Sequence, residues 1–131
     1  MTKEELMQYK STKKEVEGLK ERIEMLKEKK TSIKSQIIND MPVGGGEGID
    51  IETLMVMIED AIEELIRKEE KLIDTMLEIE ECIDGLEDPL ERYILRTRYI
   101  DCKNWEEICV LTNYSWRQIH RMHSNILKKI A

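Results

Sequence analysis

Apolar residues recur along this chain at helical spacing, in two patterns of different regularity. In the first half, Tyr9, Val16, Leu19, Ile23, Leu26, Ile33 and Ile37 follow one another in multiples of a 3-4 heptad step. From Ile51 the pattern tightens. Ile51, Met55, Ile58, Ile62, Leu65, Glu69, Leu72, Met76, Ile79, Ile83 and Leu86 alternate steps of 4 and 3, and only Glu69 is polar. A sustained heptad seam means a left-handed coiled coil. Each helix holds about 36–38 residues and so runs roughly 55 Å. Pro42 and Gly44-Gly45-Gly46 cannot continue a helix, so the first should end near Asn39. The glycine-rich linker is short enough to fold the second back on it. The pattern therefore predicts an antiparallel helical hairpin over residues 1–86, with its turn at about 40–49.

Each predicted helix has a start signal. Thr2 with Glu5 forms a capping box for the first, and Asp50 caps the second. Gly85 marks a break. Asp88-Pro89 with Glu91 then opens a third helix reaching Tyr99 or Ile100, with Leu90, Ile94, Leu95 and Tyr99 inward. Asn104 with Glu107 opens a fourth, and Ser115 with Gln118 a fifth. The fold class that follows is all-α: a long coiled-coil hairpin (1–86), then a trihelical domain (87–131).

The last two helices scan as a helix-turn-helix. The fourth carries an apolar stripe at Trp105, Ile108 and Leu111, and a break follows at Asn113-Tyr114. The fifth has an inner stripe at Ile119, Met122, Ile126 and Ile130. Its outer face carries Trp116, Arg117, His120, Arg121, Ser124 and Lys128. Two helices joined by a short turn, the second exposing donors near its N-terminus, is the geometry that enters a DNA major groove.

Charge changes the picture twice. The net charge of −7 is wrong for a DNA-binding protein taken whole. The charge is segregated, however. From Thr112 to Ala131 there are Arg117, Arg121, Lys128 and Lys129 and no acid, giving +4, whereas Asp50–Leu86 has 13 acids against three cations, giving −10. Cations in a last turn complement the helix dipole, which accounts for Lys128 and Lys129 but not for Arg117 and Arg121. The absence of Phe and the 37% charged residues fit long helices packed along narrow seams. No apolar run is long enough for a membrane span. The N-terminus has no secretory h-region, and three cysteines are an odd count, so reduced thiols in the cytoplasm are expected.

Glu106-Glu107-Ile108-Cys109 through Ser115, then Ile119 and Leu127-Lys128-Lys129-Ile130, resembles region 4 of sigma-70-type factors, over about the last 45 residues. In that resemblance Cys109 stands where a small residue lets the two helices approach. Asn113 takes the place of a turn glycine, and Thr112 replaces a usual aliphatic. A sigma factor also has a region 2, for which this chain has no counterpart. A short coiled coil followed by such a module looks like small phage and prophage transcriptional regulators, the ArpU-like late-gene activators among them.

Other constellations are weaker. Cys102, Cys109, His120 and His123 lack zinc-finger spacing, with Cys109 expected inward and the histidines toward solvent. Gly44–Gly48 is not a phosphate loop, since no Lys-Ser/Thr follows. The carboxylates belong to coiled-coil faces, so neither an enzyme nor a metal or other cofactor is expected. Lys30 and Glu69 at seam positions either snorkel or set register, and a direct Lys30–Glu69 pair would require a different or intermolecular arrangement. Trp116 stands off the inner stripe, which suits a thymine methyl or a partner protein. The leading expectation is a sequence-specific regulator of double-stranded DNA. Ser115, Trp116, Arg117, Gln118, His120, Arg121, Ser124 and Lys128 would form the interface, Lys129 would add a phosphate contact, and the coiled coil would serve self-association. The rivals are a module docking on RNA polymerase and a small DNA-packaging, terminase-like subunit.

Overall fold

The structure, a computed structural model, describes residues 1–38 and 49–131. Asn39, Pro42 and Gly44-Gly45-Gly46, on which the expected hairpin turn rests, lie outside them. The described elements are all helical: α1 (Lys3–Ile38), α2 (Ile51–Asp84), α3 (Pro89–Leu95), a π-helical turn (Arg96–Ile100), α4 (Trp105–Thr112) and α5 (Trp116–Ile130). No helix among the described residues is long and apolar enough to cross a membrane.

All five starts are capped as the sequence predicts. Thr2 and Glu5 exchange hydrogen bonds, with each backbone N–H donating to the other's side chain. Asp50 accepts from the Thr53 N–H at 2.7 Å, and Asp88 from Leu90 with Pro89 at the first helical position. Asn104 accepts from Glu107 at 2.8 Å, and Ser115 with Gln118 completes a capping box. Each cap satisfies amides that a helix leaves without partners, at about 1 kcal/mol apiece.

Packing divides the chain into two compact units, residues 14–70 and residues 1–13 with 71–131. In the first, Val16 and Ile23 of α1 are buried, with Leu54, Ile58 and Ala61 of α2. Ion pairs Glu15–Lys68 and Lys20–Glu69 (3.6 Å) cross between the helices. Glu69 therefore pairs with Lys20, not with Lys30, and at 43% side-chain exposure it sits at the rim. Such an exposed pair contributes about 0–1 kcal/mol.

The predicted α2 seam holds toward its C-terminal end, where Ile79, Ile83 and Leu86 are buried and Met76 packs on the same core, and shifts toward its N-terminus. Ile58, Leu65, Leu72 and Ile79 belong to either heptad reading of this helix. The structure takes Leu54, Ala61, Lys68 and Thr75 as the companion row and leaves Met55 and Ile62 exposed. The expected companions Met55 and Ile62 come with Glu69, which stays at the rim on Lys20. In the observed row Lys68 keeps its ammonium on Glu15, and the Thr75 hydroxyl donates to the Lys71 carbonyl at 2.9 Å.

In the second unit one core draws on every helix. Leu6 and Tyr9 from α1 join Ile79 and Ile83 from the end of α2 and Leu86 just beyond it, then Ile94, Leu95, Tyr99, Ile108, Ile119 and Ile126. The three short helices thus share a core with the ends of the long ones, whereas the sequence placed the division at residue 86. Polar ties fix the edges. Arg96 grips Glu80 with two hydrogen bonds of 2.6 and 2.8 Å. Arg92 donates to the Leu86 and Glu87 carbonyls just beyond α2.

Candidate nucleic-acid interface

The turn before α5 is set by Asn113, whose φ of 60° is left-handed. Asparagine tolerates that conformation better than most residues. Tyr114 and Ser115 follow, and Ser115 caps α5. The predicted helix-turn-helix is therefore present in the backbone. Ile119 and Ile126 are fully buried, with Met122, Leu127 and Ile130 packed against the same core.

Eight residues were expected to face DNA, and the structure sorts them. Arg117, Arg121, Ser124 and Lys128 are exposed along one side of α5 at spacings of 4, 3 and 4. None of these three cations makes an ion pair among the described residues. Ser115 and Gln118 are exposed but engaged with each other. Gln118 Oε1 accepts from the Ser115 N–H and hydroxyl at 3.0 Å, and Ser115 Oγ accepts from the Gln118 N–H at 3.2 Å. That leaves the Gln118 amide NH2 as its free end. Trp116 is 54% exposed at the first position of the helix.

His120 departs from expectation. It does not project outward: its ring lies between Trp116 (centroids 4.4 Å apart) and Trp105 (4.9 Å). Its Nε2 is buried without a hydrogen-bond partner among the described residues. His123 departs further, being only 6% exposed where a solvent-facing ring was expected. Its Nε2 shares a hydrogen with the Tyr99 hydroxyl at 2.5 Å. Burial, reinforced by the charges of Lys3 and Arg98, pushes His123 down to about 4, and burial pushes Tyr99 up to about 12. Both groups are therefore neutral across the physiological range. The misreading has a simple cause. On α5 the inward stripe is wide enough to take Met122 and His123 together, and sequence spacing alone credits it to the aliphatic residue.

Two further corrections concern neighbours. Lys129 was expected on phosphate, but its ammonium lies 2.7 Å from Glu91, a carboxylate only 8% exposed. Leu111 was expected inside α4 but is 50% exposed, and Thr112 turns inward, its hydroxyl donating to the Ile108 carbonyl at 2.7 Å. Val110 beside it is 78% exposed.

The support behind the helix comes from the π-helical turn, which the sequence did not signal. Its extra residue is visible in the Asp101 N–H, which reaches back five positions to the Arg96 carbonyl at 2.9 Å. Thr97 assists by donating its hydroxyl to the Tyr93 carbonyl at 2.6 Å, a local bond that competes with regular helix. Insertions of this kind are common at functional sites. Here it puts Tyr99 on His123 and sets the Arg98 guanidinium 4.6 Å above the Trp105 ring.

Over residues 32–130 the chain matches the family described as Protein of unknown function (DUF1492). No curated protein and no solved structure matches it.

Proposed function

The chain belongs to the DUF1492 family, and since that family's description names no activity, we propose from the geometry of α5 that it is a sequence-specific DNA-binding transcriptional regulator, of the type found in phages and prophages. It acts in the cytoplasm, by binding rather than by catalysis, and takes no cofactor. One observation carries the reading. Arg117, Arg121 and Lys128 stand exposed on one face of a capped helix that follows a left-handed turn, without acidic partners among the described residues. Guanidinium groups in the first turns of such a helix read guanine O6 and N7, and Lys128 holds a phosphate. The acidic α2 is repelled by DNA and stays clear of it.

A single helix-turn-helix reads few base pairs, so a second attachment is needed. Self-association through α2 supplies it: Ile62, Ile66, Ile73 and Leu77 remain exposed at helical spacing along that helix. The α4 surface favours a second reading, docking on a protein such as RNA polymerase. Val110 and Leu111 are exposed beside Glu106 and Glu107, an apolar and acidic surface unsuited to DNA.

Selection of bound duplexes from a randomised pool tests both parts. The expected result is a defined motif, present twice with centres about 34–36 Å apart or a multiple of that, as a dimer requires. A pool that stays random removes the DNA reading. A motif that is never repeated keeps it and removes self-association.

A further inference from the structure

Three mutually tilted rings and a guanidinium pack in a row behind the tip of α5. Trp116 lies on His120, His120 on Trp105, and Arg98 covers Trp105 from the π-helical turn. Trp105 also meets His123 edge-on at 4.6 Å. The row begins at an indole that is half in solvent and ends in the core beside Tyr99.

The arrangement is costly unless it does something. A histidine Nε2 buried without a partner loses its hydration and recovers no hydrogen bond. A solvent-facing rotamer would remove that cost, since His120 is one turn from Trp116 on the outer side of α5. What the inward position gives is a ring packed against the indole, with centroids 4.4 Å apart and planes tilted by 51°. The Trp116 side chain is thereby ordered before any ligand arrives, and binding need not order it.

Resting on the DNA reading above, we infer that His120 is a positioning residue that never touches the bases, and that the Trp116 indole it holds is a fixed apolar reader of a thymine 5-methyl group in the major groove. The geometry suits this. The exposed edge of the ring is a rigid apolar surface at the first position of the helix, next to Arg117, where recognition helices meet base edges. The thymine methyl is the apolar feature that the major groove presents there.

The test uses the full chain and the tightest duplex recovered from the randomised pool, with each thymine replaced in turn by deoxyuridine. This exchange removes the methyl and leaves base pairing intact. At one position wild-type affinity is expected to fall about fourfold, the worth of one buried methyl. Trp116→Ala is expected to bind thymine and uracil duplexes alike. His120→Ala is expected to lose the discrimination as well, because the indole is released, whereas His120→Phe keeps an aromatic ring against it and restores the preference. Circular dichroism confirms that each variant is folded, and the Ala/Phe comparison separates support of the ring from general stability. Wild-type binding that ignores every substitution, selected duplexes without thymine, or a His120→Ala variant that discriminates as wild type does would each overturn the inference while leaving the DNA reading intact. Absence of binding to any duplex would instead overturn that reading and the inference with it.

Discussion

Arg117→Ala or Arg121→Ala is expected to weaken binding to the preferred duplex by about 1–3 kcal/mol and to relax its specificity. The two side chains lie one helical turn apart and are exposed, with no carboxylate among the described residues to release first. Whatever they contribute on DNA is therefore not offset by an ion pair broken on binding. A guanidinium that donates bidentately to guanine O6 and N7 loses both bonds on truncation, and the loss falls on the matched base pair alone. Two controls bracket the effect. Lys128→Ala, which removes a phosphate contact, should weaken all duplexes about equally. Lys129→Ala should leave DNA affinity nearly unchanged, because that ammonium is held by Glu91. Fluorescence anisotropy on the preferred and on scrambled duplexes reads all four variants. A uniform loss across sequences for both arginine variants would show that neither reads bases.

Acid is expected to destabilise the unit around α5 through His123. The folded protein holds this ring near 4, whereas an unfolded chain takes up its proton at about 6.5. Below about pH 6.5 the unfolded state therefore binds a proton that the folded state refuses. Stability present above that pH is lost progressively down to about pH 4, at a cost of about 3 kcal/mol. Tyr99 gives the mirror image. Its folded value of about 12 lies above the ordinary 10, so the same hydrogen bond is stable up to pH 10 and fails as pH climbs toward 12. Urea titrations at neutral pH and near pH 4 measure the acid limb, and His123→Leu should flatten it relative to wild type. Parallel acid losses in the two proteins would show that this ring does not titrate as its burial implies.

How much of this was legible in the sequence depends on what fixed each feature. The caps were fully legible, because Thr2, Asp50, Asp88, Asn104 and Ser115 act on amides two or three residues away. The helix-turn-helix was legible too, since Asn113 and the Ile119–Ile126 spacing are local signals. The α2 seam was only half legible. Ile58, Leu65, Leu72 and Ile79 fit two companion rows, and spacing alone does not choose between Leu54 with Ala61 and Met55 with Ile62. The core joining Leu6 and Tyr9 to Ile108 and Ile119 links residues about a hundred positions apart, and no periodicity reports it. Within the candidate interface, residue type suggested His120 and Lys129 as contacts. Their occupations were decided by Trp105 and Glu91, which reach them only in three dimensions, with Trp116 one helical turn before His120 completing the contact.

The most direct test of the central claim is the salt dependence of duplex binding. The sequence offers four cations at this end of the chain, a slope of log K against log salt of roughly −3.6. The Glu91–Lys129 pair withdraws one of them. On scrambled duplexes, where Arg117 and Arg121 have no matched guanine and rest on phosphates beside Lys128, the expected slope is about −2.7, roughly a 40-fold loss of affinity between about 50 and 200 mM salt. The slope should become shallower by about 0.9 for each of these three removed, and should not change for Lys129→Ala. A folded protein that binds no duplex even at low salt, or a slope indifferent to these three residues, would contradict the account.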